Sequence, residues 1–203
     1  SYTEADPADV VRQATQMLDT ATQANRSQWR VFGVQEGLPS GYVTKMFQDS
    51  HGALWIATLS GVARFDGVAF DQPFADERLR EKWILNLLED GAGHLWIWTV
   101  DFLQQTTDFR LYRFNGERLD EPFKEMLEEG EQVVATLPAK KRHETLWFGT
   151  NKGRVLRYRD GGTEVFSKEH GLPGRGITAL LVDESGTLWV GTDEKGVYRV
   201  VYP

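Results

Sequence analysis

Three aspartates of the sequence stand in one short pattern, with a glycine three residues after each of them. The pairs are Asp49 and Gly52, Asp90 and Gly93, and Asp183 and Gly186. Carboxylates at fixed places could act as general acids and bases, or supply oxygen ligands to Ca²⁺. A D-x-x-G turn instead predicts that each Asp side chain accepts hydrogen bonds from backbone N–H groups of its own turn. We therefore expect these carboxylates to be structural.

The histidines could bind a metal ion or transfer protons. They are His51, His94, His143 and His170. The first three stand in or beside the turns that precede the Leu-Trp pairs described below, and no two histidines have metal-ligand spacing within one element. The chain has no cysteine, and it contains none of the short motifs of zinc proteases, P-loops, serine hydrolases or dinucleotide-binding domains. The sequence thus predicts no metal site, no cofactor and no catalytic residue.

The dipeptide Leu-Trp occurs four times, at intervals of roughly 40 to 50 residues, and fixes the elements around these turns. Its tryptophans are Trp55, Trp96, Trp147 and Trp189, and each begins a strand-like run that ends in Thr: WIAT, WIWT, WFGT and WVGT. This period is typical of the four-stranded blades of a β-propeller and not of helical repeats. We predict an all-β fold with four blades.

The first copy shows the strands that one blade should contain. Val43–Gln48 is predicted as the inner strand, Leu54–Thr58 as the second, and residues 62–65 and 68–70 as the third and fourth. Asp66-Gly67 stands between the last two, because both residue types tolerate the positive φ of a tight hairpin. Asn115-Gly116 and Asp160-Gly161 predict the same hairpin in copies two and three. Residues 101–110 are an insertion between the second and third strands of copy two.

The fourth copy ends after its third strand, whereas residues 29–32 (WRVF) form a spare strand before the first Gly-Leu-Pro. We predict that this N-terminal strand pairs antiparallel with residues 197–201 and completes the last blade. Such closure removes an open sheet edge. The predicted blades span residues 29–70, 71–119, 120–165 and 166–203. A self-closed four-bladed monomer is favoured, and the alternative is two chains that exchange strands in an eight-bladed ring.

Residues 1–28 belong to no blade and are predicted to form a short N-terminal helix or linker. Asp6-Pro7 is a good helix start, because Asp can cap the helix and Pro suits its first position. An apolar stripe at helical spacing follows, formed by Val10, Val11, Ala14, Met17, Leu18 and Ala21. It suits a helix packed on the propeller's side or one that belongs to a larger assembly.

The repeated residues resemble the two-component regulator propeller repeat. Its pattern runs from GLP through D-x-x-G-x-LW-x-G-T to G-L/V-x-R-F/Y, and it covers about residues 29–202 of this chain. The resemblance implies a β-propeller of a bacterial sensor, periplasmic or extracellular, that stands ahead of a membrane span and a histidine kinase. It also implies binding of carbohydrate pieces or other small ligands. This chain shows neither a span nor a kinase, so a fragment of a larger sensor is one alternative.

Function is expected where the copies differ, since residues repeated in every blade serve the blade. The loops that lead into the inner strands and those between second and third strands should gather on one face, around the central channel. The candidate ligand-binding residues there are Tyr42, Arg80, Lys82, Trp83, Asp101, Asn151, Arg175 and Asp193. Aromatic, basic and amide groups in one place suit a small polar ligand, such as a carbohydrate, or a peptide or protein partner.

Three functional classes follow from this arrangement. The favoured one is a non-enzymatic sensor module that binds a ligand or partner on the loop-rich face. The second is a propeller enzyme, a lyase or glycoside hydrolase, that uses carboxylates at the channel mouth; its candidates are Glu36, Asp101, Glu169 and Asp193. The third is a purely structural protein-interaction domain.

Composition limits the partners. The formal net charge of −7 and the pI of about 5.2 argue against a nucleic-acid binder, which needs a cationic surface. No apolar run approaches the roughly 18 residues of a membrane span, so we expect no membrane insertion. The lack of cysteine excludes disulfides without fixing the compartment, so a cytoplasmic location stays open beside the periplasmic or extracellular one.

Overall fold

The computed structural model describes residues 12, 15–17, 29–74, 76–101, 107–138 and 145–200. The chain divides into two units, Ser1–Gly33 and Val34–Pro203. In the first unit, Arg12 and residues 15–17 are helical, in agreement with the predicted N-terminal helix. The rest of that helix, including its predicted start at Asp6-Pro7, lies outside the described residues.

The second unit consists of four antiparallel sheets, one for each Leu-Trp copy. Blade 1 contains β1 to β4, blade 2 β5 to β8, blade 3 β9 to β12, and blade 4 β13 to β15. The strands are β1 Val43–Gln48, β2 Leu54–Thr58, β3 Gly61–Phe65, β4 Phe70–Asp71, β5 Trp83–Glu89, β6 Leu95–Asp101, β7 Asp108–Phe114, β8 Leu119–Asp120, β9 Val133–Leu137, β10 Leu146–Thr150, β11 Val155–Arg159, β12 Gly162–Phe166, β13 Ile177–Val182, β14 Leu188–Thr192 and β15 Gly196–Val200. The predicted all-β propeller architecture with four blades is confirmed.

The predicted hairpins form in two ways. Asp160 and Gly161 both have positive φ, 50° and 82°, and join β11 directly to β12, as a two-residue hairpin requires. At Asp66 the side chain itself holds the turn, because its Oδ1 accepts hydrogen bonds from the N–H groups of Val68 and Ala69. Asn115 repeats this arrangement in blade 2. These turns follow from local side-chain chemistry, which is why the sequence reveals them.

The insertion in copy two lengthens a hairpin. Strand β6 continues to Asp101 and β7 begins at Asp108, with Val100 opposite Phe109 and Asp101 opposite Asp108. Apolar residues opposite each other, such as Val100 and Phe109, favour strand pairing here, so this ladder is longer than the corresponding ladders of the other blades. Only the hairpin's tip, residues 102–106, lies outside the described part of the chain.

Within the single chain, the predicted closure of blade 4 is not formed. Residues 29–32 form no strand, and the sheet of blade 4 has three strands instead of four. Trp29 and Val31 are largely exposed. The sequence pattern identifies 29–32 as the outer strand of a blade, but it cannot say which strand edge will supply the backbone partners that an isolated strand lacks.

Each blade packs on the next through its tryptophan. Trp55 of blade 1 lies in one core with Ile84 and Leu87 of blade 2. Trp96 of blade 2 and Trp147 of blade 3 lie in the corresponding cores with blades 3 and 4. We call the side of a blade that bears this residue its Trp face, and the side that receives the preceding blade its reverse face. The repeat therefore encodes one face-to-face contact, made three times along the chain.

Gly149 in β10 sets the distance between blades 3 and 4. A Cβ built on it would overlap the side chain of Ile177 from blade 4. We expect Gly149→Ala to destabilise the protein by about 1–3 kcal/mol, the usual range for overpacking a core. Gly191 holds the same position in β14 of blade 4, where the nearest atom to such a Cβ, at 3.2 Å, belongs to Ala179 of the same blade.

Gly191→Ala is therefore the matched control within the single chain, and chemical denaturation of both variants, at a protein concentration where the chain is monomeric, measures the difference. A cost for Gly149→Ala no greater than that for Gly191→Ala would contradict the close approach of blades 3 and 4.

Candidate functional site

One end of every blade carries the loops that differ between the copies. Near the start of each inner strand, one residue is paired with the Thr that ends the Leu-Trp run of the second strand: Val43 with Thr58, Ile84 with Thr99, Val133 with Thr150, and Ile177 with Thr192. The connections into the inner strands and the hairpins after the second strands therefore lie at the same end. We call this end the rim. The Asp-x-x-Gly turns lie at the opposite end.

The aspartates of those turns have the structural role predicted from the sequence. Oδ1 of Asp49 accepts hydrogen bonds from the backbone N–H groups of His51 and Ala53, both at 2.9 Å. Its Oδ2 accepts the indole N–H of Trp55 at 2.7 Å. Asp90 and Asp183 bind their own turns and their own Leu-Trp indoles in the same way. The indole bond was not foreseen, although the constant spacing of six residues between Asp and Trp is its signal.

These hydrogen bonds should keep the Asp183 carboxylate ionised at low pH. Hydrogen bonds from the Ser185 hydroxyl, the Trp189 indole and the Thr187 backbone lower the pKa of Asp183 to about 2. Because the folded pKa is lowered, the turn's contribution to stability is present above the ordinary carboxyl pKa and is lost as the pH falls through about 2. We expect an NMR titration of this carboxylate to show a midpoint near 2. A midpoint near 4 would contradict the turn geometry.

Two aromatic residues of the rim hold the same position in adjacent blades. Tyr42 directly precedes Val43, and Trp83 directly precedes Ile84. Val43 and Ile84 are paired with Thr58 and Thr99, which end the WIAT and WIWT runs. Tyr42 is 65% exposed and Trp83 is 42% exposed. The inner strands β1 and β5 that carry them pack against each other. The structure thus places two exposed aromatic side chains on neighbouring blades at the rim.

Charged groups stand next to these aromatic residues. Lys82 Nζ forms an ion pair with Asp101 Oδ2, and both side chains are about one-quarter exposed. This pair joins the connection into β5 to the long hairpin after β6, so it fixes the residue before Trp83. Arg80, also exposed, lies in the same connection, where its backbone N–H donates to the Asp76 carbonyl at 3.3 Å. Four predicted site residues are therefore gathered at blade 2, and Tyr42 is on the blade beside them.

The other three predicted residues lie at blades 3 and 4. Asn151 uses its side chain within the protein: its Oδ1 accepts from the Gln132 N–H and its Nδ2 donates to the Gly130 carbonyl. Asp193 is exposed and its N–H donates to the Gly176 carbonyl, next to Arg175. A Cβ on Gly176 would lie 3.2 Å from the Asn151 carbonyl oxygen, so these loops are neighbours. They form a second group of rim residues, separate from the aromatic pair.

The rim also holds an ion pair that the sequence does not reveal. Glu131, whose side chain is fully buried, accepts hydrogen bonds from Arg154 Nε at 2.8 Å and Nη2 at 2.6 Å. Burial raises the pKa of Glu131, but the hydrogen bonds from Arg154, Thr150 and the Glu128 backbone outweigh it, and the pKa is lowered overall. No local spacing relates these two residues, because they are 23 positions apart, in the connections that precede β9 and β11. Their bonds are made within the protein, so the pair supports the loops.

A cleft of about 270 Å³ lies beside this pair, between blades 2 and 3. Two of its carboxylates are bound within the protein: Asp108 to Arg110 and Gln132, and Glu131 to Arg154. Among the described residues there is no group of three or more His, Asp or Glu side chains that could hold a metal ion. Within that part of the chain, no helix is long and apolar enough to cross a membrane.

Comparison with known proteins gives two results. Residues 37–60 and 171–194 match the family model described as the two component regulator propeller. Each matched segment runs from a Gly-Leu-Pro, through an Asp-x-x-Gly turn and a Leu-Trp strand, into the hairpin after it. No curated protein sequence matches the chain.

Solved structures share the fold. The chain is similar to the extracellular domain of the hybrid two component system BT4673 from B. thetaiotaomicron, with 17% identity and a TM-score of 0.57. That match covers 85% of this chain and 23% of the other. It is also similar to PorZ, a surface component of the type-IX secretion system of Porphyromonas gingivalis, with 14% identity and a TM-score of 0.58. The match covers 85% of this chain and 28% of PorZ.

The chain thus spans about a quarter of the length of these two proteins. The resemblance inferred from the sequence is confirmed: this chain is a β-propeller whose first and fourth blades each contain a segment that matches the two component regulator propeller model.

Proposed function

We propose that the chain is a non-enzymatic binding module of sensor type, which binds a small polar ligand, such as a carbohydrate, on the rim of blades 1 and 2. We further propose an extracellular or periplasmic location. The similarity to an extracellular two component system domain and to a bacterial surface protein supports that location.

The observation that carries the proposal is the pair Tyr42 and Trp83. Trp83 is 42% exposed, unlike Trp55 and Trp96, which are buried between blades. An aromatic face takes up the apolar side of a sugar ring, while its polar edge stays available for hydrogen bonds. Lys82, Asp101 and Arg80 supply charged and polar partners beside it. A rim with both kinds of group at one place suits a polar ligand with a flat apolar face.

At blade 2, the ion pair of the candidate carboxylate Asp101 favours binding over catalysis. A glycoside hydrolase needs two carboxylates facing each other across the bond that is cleaved, about 5–10 Å apart. Asp101 is neutralised by Lys82. Glu36 and Glu169 lie in short 3₁₀ turns, Val34–Glu36 and Lys168–His170, that lead into blades 1 and 4. Asp193 is in blade 4, after β14.

The test is a binding screen of the full chain against neutral and acidic oligosaccharides and short peptides, read by thermal shift and then by calorimetry. For a ligand that binds, we expect Tyr42→Ala or Trp83→Ala to weaken affinity about tenfold, as the loss of one aromatic contact implies. Val68→Ala is the control, because Val68 is exposed in the hairpin between β3 and β4, at the end opposite the rim.

Unchanged affinity in both rim variants would contradict the proposed site. Cleavage of a panel oligosaccharide that is lost in Asp101→Asn or Asp193→Asn would support the enzyme instead. A protein that binds no member of the panel but retains a protein partner through the rim would support the interaction domain.

A further inference from the structure

Blade 4 has a Trp face with no blade against it. Trp189 is 36% exposed, Leu181 56% and Val197 67%. Strand pairing places these three residues at the positions of Trp96, Leu88 and Leu111 in blade 2, all of which are buried against blade 3. The apolar surface that joins the blades is therefore present in blade 4 but open.

Blade 1 has a reverse face in the same condition. Val43 and Met46 are 40% and 64% exposed, whereas Ile84 and Leu87, at the same positions of blade 2, are fully buried. The chain thus has two open apolar surfaces: the Trp face of blade 4 and the reverse face of blade 1. The chain itself shows three times that surfaces of these two kinds pack together.

The open Trp face of blade 4 also carries a hydroxyl that corresponds to the donor of a hydrogen bond between blades 1 and 2. Thr44 of blade 1 donates its hydroxyl to the Ile84 carbonyl of blade 2 at 2.5 Å. Thr178 holds the position of Thr44 in blade 4 and is exposed. The acceptor that matches the Ile84 carbonyl is the Val43 carbonyl, on the open reverse face of blade 1.

The segment before blade 1 matches the strand that blade 4 lacks. In blade 3, Phe166 ends β12 and stands six residues before Leu172, the buried residue of the second Gly-Leu-Pro; Phe32 stands at the same distance before Leu38. Phe166 is paired with Val155, whose counterpart in blade 4 is Val197. The register therefore places Phe32 opposite Val197, and Arg30 opposite Arg199, where blade 3 has Glu164 opposite Arg157.

We propose that a second copy of this chain covers both open faces. The Trp face of blade 4 in each copy packs on the reverse face of blade 1 in the other, and residues 29–32 of that copy pair with β15. The two contacts are identical and related by a two-fold axis, so they close one ring of eight blades, within the usual number for propellers. A contact of this kind that did not close would continue into a filament.

The first test is the mass of the full chain by light scattering. We expect a species of twice 23.1 kDa. Met46→Lys would bury an ammonium group in each contact and should weaken dimerisation about a hundredfold or more. Met126→Lys is the matched control, because Met126 is also exposed but lies on the rim side of blade 3, away from both open faces. Val197→Lys tests the Trp face independently.

The second test seeks tighter association. Arg30→Glu replaces a like-charged cross-strand pair with Arg199 by the Arg-Glu pair found between Arg157 and Glu164, so dimerisation should strengthen about fivefold. A monomer at all concentrations, open-ended oligomers, or a dimer unaffected by Met46→Lys and Val197→Lys would overturn the proposal. Arg30→Glu without effect would overturn the strand pairing.

Discussion

Replacing Trp96 by alanine is expected to destabilise the protein by about 3–5 kcal/mol, the range for large core aromatic residues. Trp96 is fully buried, and its ring packs against Phe123, Phe148 and Tyr158 of blade 3 at centroid distances of 4.7–5.5 Å. Its indole N–H also donates to Asp90. The change leaves a cavity between two blades and removes one of the two hydrogen bonds at Asp90 Oδ2, while the one to His94 remains.

Trp189→Ala is the matched comparison, because Trp189 makes the same bond to Asp183 but has no following blade in its own chain. Both changes are best made in the Met46→Lys variant, which we expect to be monomeric. Thermal unfolding should then show a midpoint lowered by about 10 °C for Trp96→Ala and by much less for Trp189→Ala. Equal losses would contradict the packing of each Trp face on the next blade.

Replacing Arg154 by methionine is the second large effect. The change leaves the Glu131 carboxylate buried without its ionic partner, which costs about 3–5 kcal/mol. A double variant, Arg154→Met with Glu131→Met, removes both charges and should recover most of that loss. The coupling between the two sites, measured by a double-mutant cycle of unfolding free energies, gives the value of the pair.

The pH dependence supplies an independent check on this pair. The pKa of Glu131 is lowered in the folded protein, so its contribution to stability is present above the ordinary Glu pKa and is lost as the pH falls through the lowered value. In Arg154→Met the hydrogen bonds from Arg154 no longer oppose burial, whereas those from Thr150 and Glu128 remain, so the pKa of Glu131 should rise and acidification should cost less stability than in the wild type. A single variant with wild-type stability and pH dependence would contradict the buried ion pair.

Much of the fold could be predicted because its determinants are local and repeated. The Leu-Trp strands, the Asp-x-x-Gly turns and the Asp160-Gly161 hairpin each depend on residues a few positions apart, and four copies reinforce one another. The closure could not be predicted in this way. Residues 29–32 have the pattern of an outer strand, but the edge that receives it is a long-range choice which local sequence does not encode.

The candidate site could be predicted only as a location. Loop positions follow from strand order, so the sequence places Tyr42, Trp83 and Asp101 at one end. The structure adds that Lys82 and Asp101 form an ion pair and that the Asn151 side-chain amide is hydrogen-bonded to the backbone of Gln132 and Gly130. Those partners depend on how connections from different strands meet, as does the Glu131–Arg154 pair.

The most direct test of the account uses the indole N–H signals of the seven tryptophans as probes in one NMR titration. Trp83 reports on the rim, whereas the indoles of Trp55, Trp96 and Trp189 report on the opposite end, where they are bound to Asp49, Asp90 and Asp183. With a ligand from the binding screen, we predict that the Trp83 signal moves and that those three stay in place. An unmoved Trp83 signal, with shifts at the three aspartate-bound indoles, would contradict the assignment of the repeats to structure and of the rim to function.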